Sequence, residues 1–315
     1  MSDITLSYVI TTYNKLDYLR PVLENVISHR KPDEEIIVVD GASKDGTAEY
    51  LAQLFATGKI QKFVSERDFG EGHGFNKGML MAEGKLIKLL TDDDAYDFTA
   101  IECCRRYMLE HPQIDFLNTH GGWYDINLHN EIFVFTEVYL QMLQEWKEKG
   151  TPFAFCMLGI MINRKSLPFL GLLNPSIKRA DAEYSLRITS QKVKVAWYLG
   201  PAYARILNQQ SNSARYEETI KKETEKLNSF YEVSIDGETD KKNISFLDMV
   251  KQRLRKGYHS LQAGEKNTAE GSLGENGSAP KSPAEALEYA TKWLAGQNKE
   301  VTYSFISNIE DQVVV

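Results

Sequence analysis

Short apolar runs alternate with segments of helical apolar spacing over residues 6–90. This alternation constrains the fold most, because near-continuous apolar strands must be covered on both faces, and strand–helix–strand units cover them with helices. The predicted elements, in order within each class, are strands at 6–14, 35–40, 60–65 and 85–90, and helices at 17–29, 47–55 and 75–82. The sequence therefore predicts an α/β protein with a mostly parallel sheet flanked by helices.

Polar residues follow several of these strands, at Thr11, Asp40, Asp68 and Asp92–Asp94. In an open parallel sheet, ligands bind at the carboxyl ends of the strands, so these clusters should converge on one crevice. Three adjacent carboxylates repel one another, and a fold that holds them together normally neutralises them with a cation. A solvated turn after an edge strand is the alternative interpretation of the triplet. The convergence favours the cation site.

Composition narrows the class of partner. The 315 residues carry a formal net charge of -7, which argues against a broad nucleic-acid-binding surface. Cys103, Cys104 and Cys156 lack metal-ligand spacing and are interpreted as reduced thiols. The sequence shows neither a signal peptide nor an apolar run long enough to span a bilayer. We therefore expect a cytoplasmic protein, with any membrane contact made from the inner face.

Several motifs, in order, resemble family 2 glycosyltransferases of the GT-A fold, a Rossmann-like fold of nucleotide-diphospho-sugar transferases. The resembling segments are Val9–Asn14, Ile37–Thr47, Asn76–Gly78, Thr91–Asp93, Gly159–Arg164 and Arg179–Arg187. Each is weak alone, but their order and spacing match over residues 4–213. The resemblance implies transfer of a sugar from a nucleotide-sugar donor with inversion at the anomeric carbon. The expected donor is a UDP-sugar. The expected process is bacterial polysaccharide or glycoconjugate assembly.

Such a transfer builds negative charge on a diphosphate leaving group, which a hard divalent cation such as Mg²⁺ or Mn²⁺ stabilises through carboxylate ligands. By the resemblance, Asp93 would be the metal ligand. Asp92 would face the donor ribose or the waters on the metal. Thr91 replaces the first carboxylate of the family motif, which leaves Asp94 as a second candidate metal ligand.

The donor base is assigned to the ends of the first two strands. By the resemblance, Asp40 would accept the imide N–H of uracil, with Thr11 completing the base site. Tyr13 would pack its ring on the base, although ordinary packing at a strand end is the alternative. Gly41 stands where many relatives have a second carboxylate, so one ribose or base contact of the family has no counterpart here.

Cations for the diphosphate are expected from the glycine-rich loop at 66–78 and from a late strand. Phe75 replaces an arginine common in the family, and Arg67 or Lys77 would supply the missing charge. Arg205 fits the late position, whereas Asn208 stands where histidine is common. His73 is interpreted as a loop residue without a catalytic role.

An attacking hydroxyl must lose its proton to a general base within hydrogen-bond reach. By the resemblance, Asp181 takes this position, with Ala180 in place of the usual preceding glutamate. The alternative is that Asp181 only caps the helix predicted at 182–190, and Glu183 is the substitute base if the register differs. The segment Asn118–Asp125 is a candidate acceptor wall, with buried packing as the alternative.

The predicted organisation is a GT-A catalytic domain at 1–213, a helical extension at 214–262, a flexible linker at 263–283, and a C-terminal amphipathic helix with a tail at 284–315. That helix could dock on the body, pair with another subunit or contact lipid, and its mixed charges favour docking. The expected partners are a nucleotide-sugar donor and a saccharide or lipid-linked saccharide acceptor. Oligomeric state is left open.

Two other functions are compatible with these residues. A sugar-phosphate nucleotidyltransferase also uses aspartate-bound metal, but the residues after the first strand lack its glycine-rich basic loop. A degenerate sugar-nucleotide-binding or scaffolding protein is compatible with the departures at Gly41, Phe75, Ala180 and Asn208.

Overall fold

The computed structural model describes residues 4–125, 132–134, 136–207, 215–235, 282–297 and 304–309. The strands are β1 Leu6–Thr12, β2 Glu34–Asp40, β3 Lys62–Ser65, β4 Leu86–Leu90, β5 Ala95–Tyr96, β6 Phe116–Asp125, β7 Ile132–Val134, β8 Met161–Asn163, β9 Val195–Leu207 and β10 Phe305–Ser307. The helices are α1 Leu16–His29, α2 Thr47–Ala56, α3 Glu71–Met81, α4 Phe98–Glu110, α5 Thr136–Lys149, α6 Leu167–Leu170, α7 Ala180–Thr189, α8 Glu217–Tyr231 and α9 Pro283–Gln297.

The described strands form one sheet in the order β10-β9-β6-β8-β4-β1-β2-β3, with β5 beside β9 and β7 beside β6. Strands β4, β1, β2 and β3 are parallel, as their unbroken apolar composition predicts. Apolar clusters cover both faces of this sheet. The predicted α/β architecture is confirmed.

The register of the parallel strands brings the predicted polar residues to one edge. Thr12 pairs with Asp40, Asp40 pairs with Ser65, and Ile10 pairs with Leu90 just before the aspartate triplet. Helix α3 packs so closely on β1 that a methyl group built on Gly78 would lie 2.2 Å from the Val9 side chain. The loops after β1, β2, β3 and β4 therefore open on the same side of the sheet.

The remaining strands make the sheet mixed. The short strand β8 runs antiparallel to both β4 and β6, whereas β6 and β9 are parallel. The β6–β9 register shifts around His120, which marks a bulge in the ladder. This half of the sheet carries Arg205 on β9 to the same edge as the triplet.

One charged side chain lies within the sheet core. Lys88, in the middle of β4, is 1% exposed. Its ammonium donates hydrogen bonds to the carbonyls of Leu89 at 3.1 Å, Ile160 at 3.2 Å and Leu158. Two of these carbonyls, Leu158 and Ile160, lie in and just after the turn at Met157–Gly159, so backbone acceptors satisfy the buried ammonium.

Residues near the end of the described chain complete this body. Helix α9 packs on β9, β5 and α1 through buried Leu287, Ala290 and Leu294. Strand β10 pairs antiparallel with β9, and its Phe305 stacks on Tyr107 with ring centroids 3.9 Å apart. The apolar face of α9 is thus docked on the sheet. The predicted helix at 244–262 and most of the predicted linker lie outside the described residues.

Candidate active site

The three carboxylates after β4 are buried side by side in the loop between β4 and β5. Lys15, just after β1, places its Nζ 2.5 Å from Asp93 Oδ2 and 3.5 Å from Asp92 Oδ1. A buried ion pair of this kind needs close geometry, because taking each charge out of water costs several kcal/mol. The solvated-turn interpretation of the triplet does not fit this burial and pairing.

The charged groups in this cluster shift one another's pKa values. Burial and the neighbouring Asp93 carboxylate raise the pKa of Asp92, and Lys15 opposes the rise. Burial alone would lower the pKa of Lys15, but Asp92 and Asp93 raise it well above its ordinary value. Lys15 was not among the residues predicted for the site.

Asp94 has a different set of partners. Its Oδ2 accepts a hydrogen bond from the Thr91 hydroxyl at 2.6 Å, and its Oδ1 accepts one from the Ile206 backbone N–H at 2.7 Å. Burial and the nearby Asp93 raise the pKa of Asp94. Asp94 thus ties the triplet to β9, whereas Asp92 and Asp93 share the contact with Lys15. Whether Asp92 or Asp94 accompanies Asp93 as a metal ligand stays a prediction.

Arg205 interacts electrostatically both with the triplet and with Asp181, the predicted general base. Burial opposes its charge, but electrostatic interactions with Cys156, Asp94, Asp181 and Asp93 raise the pKa of Arg205. Arg205 thus lies within electrostatic range of Asp93, Asp94 and Asp181. Burial and the nearby Asp181 carboxylate also raise the pKa of the Cys156 thiol to about 11, so this cysteine is a weak nucleophile.

Asp181 lies exposed in the first turn of α7, and its Oδ1 accepts a hydrogen bond from the Ala182 N–H at 2.8 Å. The loop before α7 is held by Asn76 of α3, whose amide donates to Leu173 O at 2.8 Å and accepts from Leu173 N at 2.9 Å. Glu183 is buried and paired with Arg187 at 2.8 Å. This pairing makes Glu183 a structural residue and leaves Asp181 as the accessible carboxylate of α7.

The predicted base site is assembled around Gly41. A methyl group built on Gly41 would lie 3.0 Å from Asp68 Oδ2 and 3.2 Å from Tyr13 Cδ2, and one on Gly74 would lie 3.0 Å from Thr11 Cγ2. Tyr13 is 52% exposed, which leaves a ring face open for stacking. The assignment of Thr11 and Tyr13 to the base site stays a prediction.

Asp40 is fully buried beneath this site. Its Oδ1 accepts from the Ser43 N–H at 3.2 Å and from the Ser43 hydroxyl, and its Oδ2 accepts from the Ser65 hydroxyl at 2.5 Å. A base N–H would have to displace one of these donors. The role of Asp40 in base binding stays a prediction, and the contacts shown give it a role in holding the loop after β2.

The two candidate phosphate cations in the loop differ in their surroundings. Lys77 Nζ pairs with Glu66 at 3.0 Å and donates to Arg67 O at 3.3 Å, whereas the Arg67 side chain is exposed. His73 accepts a hydrogen bond from Phe69 N at 3.2 Å, and Phe69 is itself 72% exposed. Arg67 therefore keeps an exposed side chain, while Lys77, which lies on α3, is engaged by Glu66 and the Arg67 carbonyl.

The segment Asn118–Asp125 belongs to strand β6, and its first three residues are buried. Trp197 of β9 donates to His120 Nδ1 at 3.3 Å, and burial lowers the pKa of His120 to about 4. Buried packing is the correct interpretation for Asn118–His120, and the acceptor-wall interpretation is wrong for them. Asn208 lies outside the described residues.

A divalent cation fits part of this arrangement. Among the residues that the structure describes, no group of three or more His, Cys, Asp or Glu side chains has metal-binding geometry. Asp92 and Asp93 nevertheless supply two neighbouring buried carboxylates, the hard oxygen ligands that Mg²⁺ prefers. Magnesium commonly completes its shell with water and phosphate oxygens, so two protein carboxylates are sufficient.

The class that the fold defines is that of α/β proteins with an open parallel sheet, in which ligands bind at the carboxyl ends of the strands, and the carboxylates lie at that edge here. The model of glycosyl transferase family 2 matches residues 7–167, just over half of the chain. The chain therefore belongs to glycosyl transferase family 2.

Individual relatives match shorter stretches. An uncharacterized glycosyltransferase of Nostoc sp. is 32% identical over 93 residues, 29% of each chain. The putative teichuronic acid biosynthesis glycosyltransferase TuaG of Bacillus subtilis is 28% identical over 106 residues, 33% of this chain and 42% of the relative. The matched stretches thus span less than half of these relatives.

Two solved structures share the fold. Staphylococcus aureus TarS (residues 1–349), in complex with UDP-GlcNAc, has a TM-score of 0.52 at 14% identity over 66% of this chain and 60% of TarS. The mannosyltransferase PcManGT of Pyrobaculum calidifontis, in complex with GDP-Man and Mn²⁺, has a TM-score of 0.52 at 14% identity over 92% of this chain and 69% of its own. In this chain, no helix of the described residues is long and apolar enough to cross a membrane.

Proposed function

We propose that this chain transfers a sugar from a UDP-linked donor to an acceptor hydroxyl, with a divalent metal and with inversion at the anomeric carbon. The observation that carries the proposal is the charged cluster at Arg205, where the neighbouring Ile206 N–H donates to Asp94 Oδ1 at 2.7 Å and Arg205 lies within electrostatic range of Asp93, Asp94 and Asp181. This cluster joins a candidate diphosphate site to a candidate general base, Asp181. Both are needed within reach of one sugar carbon.

The donor lies along the carboxyl edge of the parallel strands. The exposed ring of Tyr13 packs on the base, Thr11 lies beneath it, and Asp40 stays the candidate acceptor for a uracil N–H. Arg205 and the exposed Arg67 face the diphosphate, with Lys77 as a further cation of the same loop. The two structural relatives carry UDP-GlcNAc and GDP-Man, so both base classes occur on this fold.

Asp93, together with Asp92 or Asp94, would hold Mg²⁺ or Mn²⁺. When bound, such a cation supplies the positive charge that stabilises the departing diphosphate. The complex of PcManGT with Mn²⁺ supports a metal on this fold. Arg205 adds a second, permanent positive charge near the same carboxylates.

The acceptor enters beside α7. Asp181 takes the proton of its hydroxyl, and the oxygen attacks the sugar carbon opposite the leaving diphosphate. A single displacement inverts the anomeric configuration, so an α-linked donor yields a β-linked product. The exposed Phe69 ring, next to Gly70 and near Lys178, offers an apolar face to an acceptor sugar.

The acceptor class is a saccharide or a lipid-linked saccharide. Relatives named for teichuronic acid biosynthesis and chondroitin synthesis support polysaccharide assembly. Residues 1–213 would form the catalytic domain, and α9 and β10 pack on β9, the strand that also carries Arg205.

To test the proposal, the protein is incubated with a panel of UDP-, GDP- and dTDP-sugars in the presence of Mn²⁺ or Mg²⁺. The release of nucleoside diphosphate is then measured. Release that requires metal and at least one donor is expected, and an acceptor panel should raise it. Donor binding without turnover under every condition would refute the transferase and leave the sugar-nucleotide-binding scaffold. Release of inorganic pyrophosphate from a sugar phosphate and a nucleoside triphosphate would instead indicate a nucleotidyltransferase.

A further inference from the structure

Lys15 already provides a positive charge at the predicted metal ligands. Its Nζ lies 2.5 Å from Asp93 Oδ2 and 3.5 Å from Asp92 Oδ1, and its side chain is 13% exposed. Glu71, at the start of α3, adds a further negative charge within electrostatic range of Lys15 and Asp92. A lysine so placed neutralises part of the carboxylate charge without an external ion.

Hydrogen bonds in the loop between β1 and α1 fix the backbone position of Lys15. The preceding residue, Asn14, has a φ of +50° and is fixed by hydrogen bonds to the β2–α2 loop. Its N–H donates to Ser43 Oγ at 2.7 Å, and its Oδ1 accepts from Lys44 N at 2.8 Å. The Lys15 carbonyl in turn accepts the first hydrogen bonds of α1, from Tyr18 and Leu19. Lys15 is therefore held through Asn14 before it and through its own carbonyl.

A divalent cation held by Asp92 and Asp93 would share its ligands with the Lys15 ammonium, which lies 2.5 Å from Asp93 Oδ2. Two positive charges on the same carboxylates repel each other strongly at this range. This repulsion favours displacement of the ammonium from Asp93 when a metal binds. The same carboxylates thus have two alternative partners.

We propose that Lys15 is a resident counter-ion that competes with the divalent metal for Asp92 and Asp93. The proposal rests on the proposed function, because it concerns how the metal reaches the same site. In the metal-free protein, Lys15 holds the two carboxylates together. On metal binding it leaves Asp93, so metal affinity in the absence of nucleotide is weaker than two buried carboxylates alone would give.

The test is a Mn²⁺ titration of the full chain without nucleotide, in which free Mn²⁺ is measured by electron paramagnetic resonance. Lys15→Met should bind Mn²⁺ about tenfold more tightly than the wild type, which corresponds to about 1.4 kcal/mol. Lys62→Met is the matched control, because Lys62 also bridges two carboxylates, Glu35 at 3.0 Å and Glu83 at 2.8 Å, away from the site. Its Mn²⁺ affinity should equal that of the wild type.

A second measurement, of the Tm with and without Mn²⁺, separates a loss of stability in the variant from a change in its metal affinity. Lys15→Met leaves two buried carboxylates without their ammonium, so its Tm should fall in chelator and rise more steeply with Mn²⁺ than the wild-type Tm. Adding Asp93→Asn to Lys15→Met should remove the gain in affinity. Equal affinity of Lys15→Met and the wild type would overturn the competition while leaving the metal site intact. Absence of Mn²⁺ binding by both would overturn the competition and the proposed metal together.

Discussion

Lys88 allows a quantitative prediction, because a full charge is buried beneath the candidate site. Burial lowers the pKa of Lys88 from 10.5 to about 7, with a small opposing influence of Cys104 and Cys156. In the unfolded chain the pKa returns to its ordinary value. Between pH 7 and pH 10.5 the unfolded state therefore binds a proton that the folded state does not. Linkage then requires the free energy of unfolding to rise with pH across this window.

The size of the effect follows from the two pKa values. At pH 7 the folded lysine is half protonated, and the cost of its burial is close to its maximum. At pH 9 the folded side chain is neutral and the unfolded one is still mostly charged. With 1.36 kcal/mol for each pKa unit, the contribution of Lys88 to the free energy of unfolding becomes more favourable by about 2 kcal/mol between these pH values.

Lys88→Met removes this titration at nearly constant volume. Urea denaturation of the wild type and the variant at pH 7, 8 and 9 should show the wild type gaining about 2 kcal/mol over the variant. Lys59→Met, at an exposed position, is the control, and its difference from the wild type should not change with pH. A pH-independent difference between the wild type and Lys88→Met would refute the reasoning, because Lys88 would then keep one protonation state throughout.

Three further changes test the site and its support. Asp181→Asn should reduce sugar transfer by about 10²- to 10⁴-fold while nucleotide affinity by calorimetry stays within twofold, and retained turnover would contradict its role as base. Tyr13→Ala should weaken nucleotide binding up to about tenfold through lost stacking, with an unchanged Tm because the ring is half exposed; unchanged binding would assign the ring to packing alone. Leu294→Ala should lower the free energy of unfolding by about 2–5 kcal/mol in urea melts through a cavity under α9, and a loss below 0.5 kcal/mol would contradict the docking of this helix.

The sequence predicted the parallel half of the fold well, because unbroken apolar strands and amphipathic helices are local patterns. Lys15 was missed for a reason of topology. It follows β1, and the triplet follows β4, and only the pairing of Ile10 with Leu90 makes these loops neighbours. Strand order is not a local property of the sequence, so the contact between Lys15 and Asp93 had no signal of its own.

The second half of the sheet was harder to predict, as β6 shows. Gly121 and Gly122 lie within this strand, and a methyl group built on Gly121 would lie 2.2 Å from the Tyr203 ring, so the close approach of β9 requires glycine there. Gly200 and Pro201 likewise interrupt the pattern of β9, although both lie within the strand opposite the bulge of β6. Residues selected for close approach to another strand resemble turn residues until the partner is known.

The position of β10 bears on the order in which the chain can fold during synthesis. Strand β10 covers the outer backbone edge of β9 at Ala196–Tyr198, and its residues Phe305–Ser307 are made long after β9 itself. Until those residues emerge from the ribosome, this stretch of β9 lacks its β10 partner and is a surface on which another strand could pair. Chains that end at residue 297, which keep α9 and lack β10, should therefore self-associate more readily than chains that include β10.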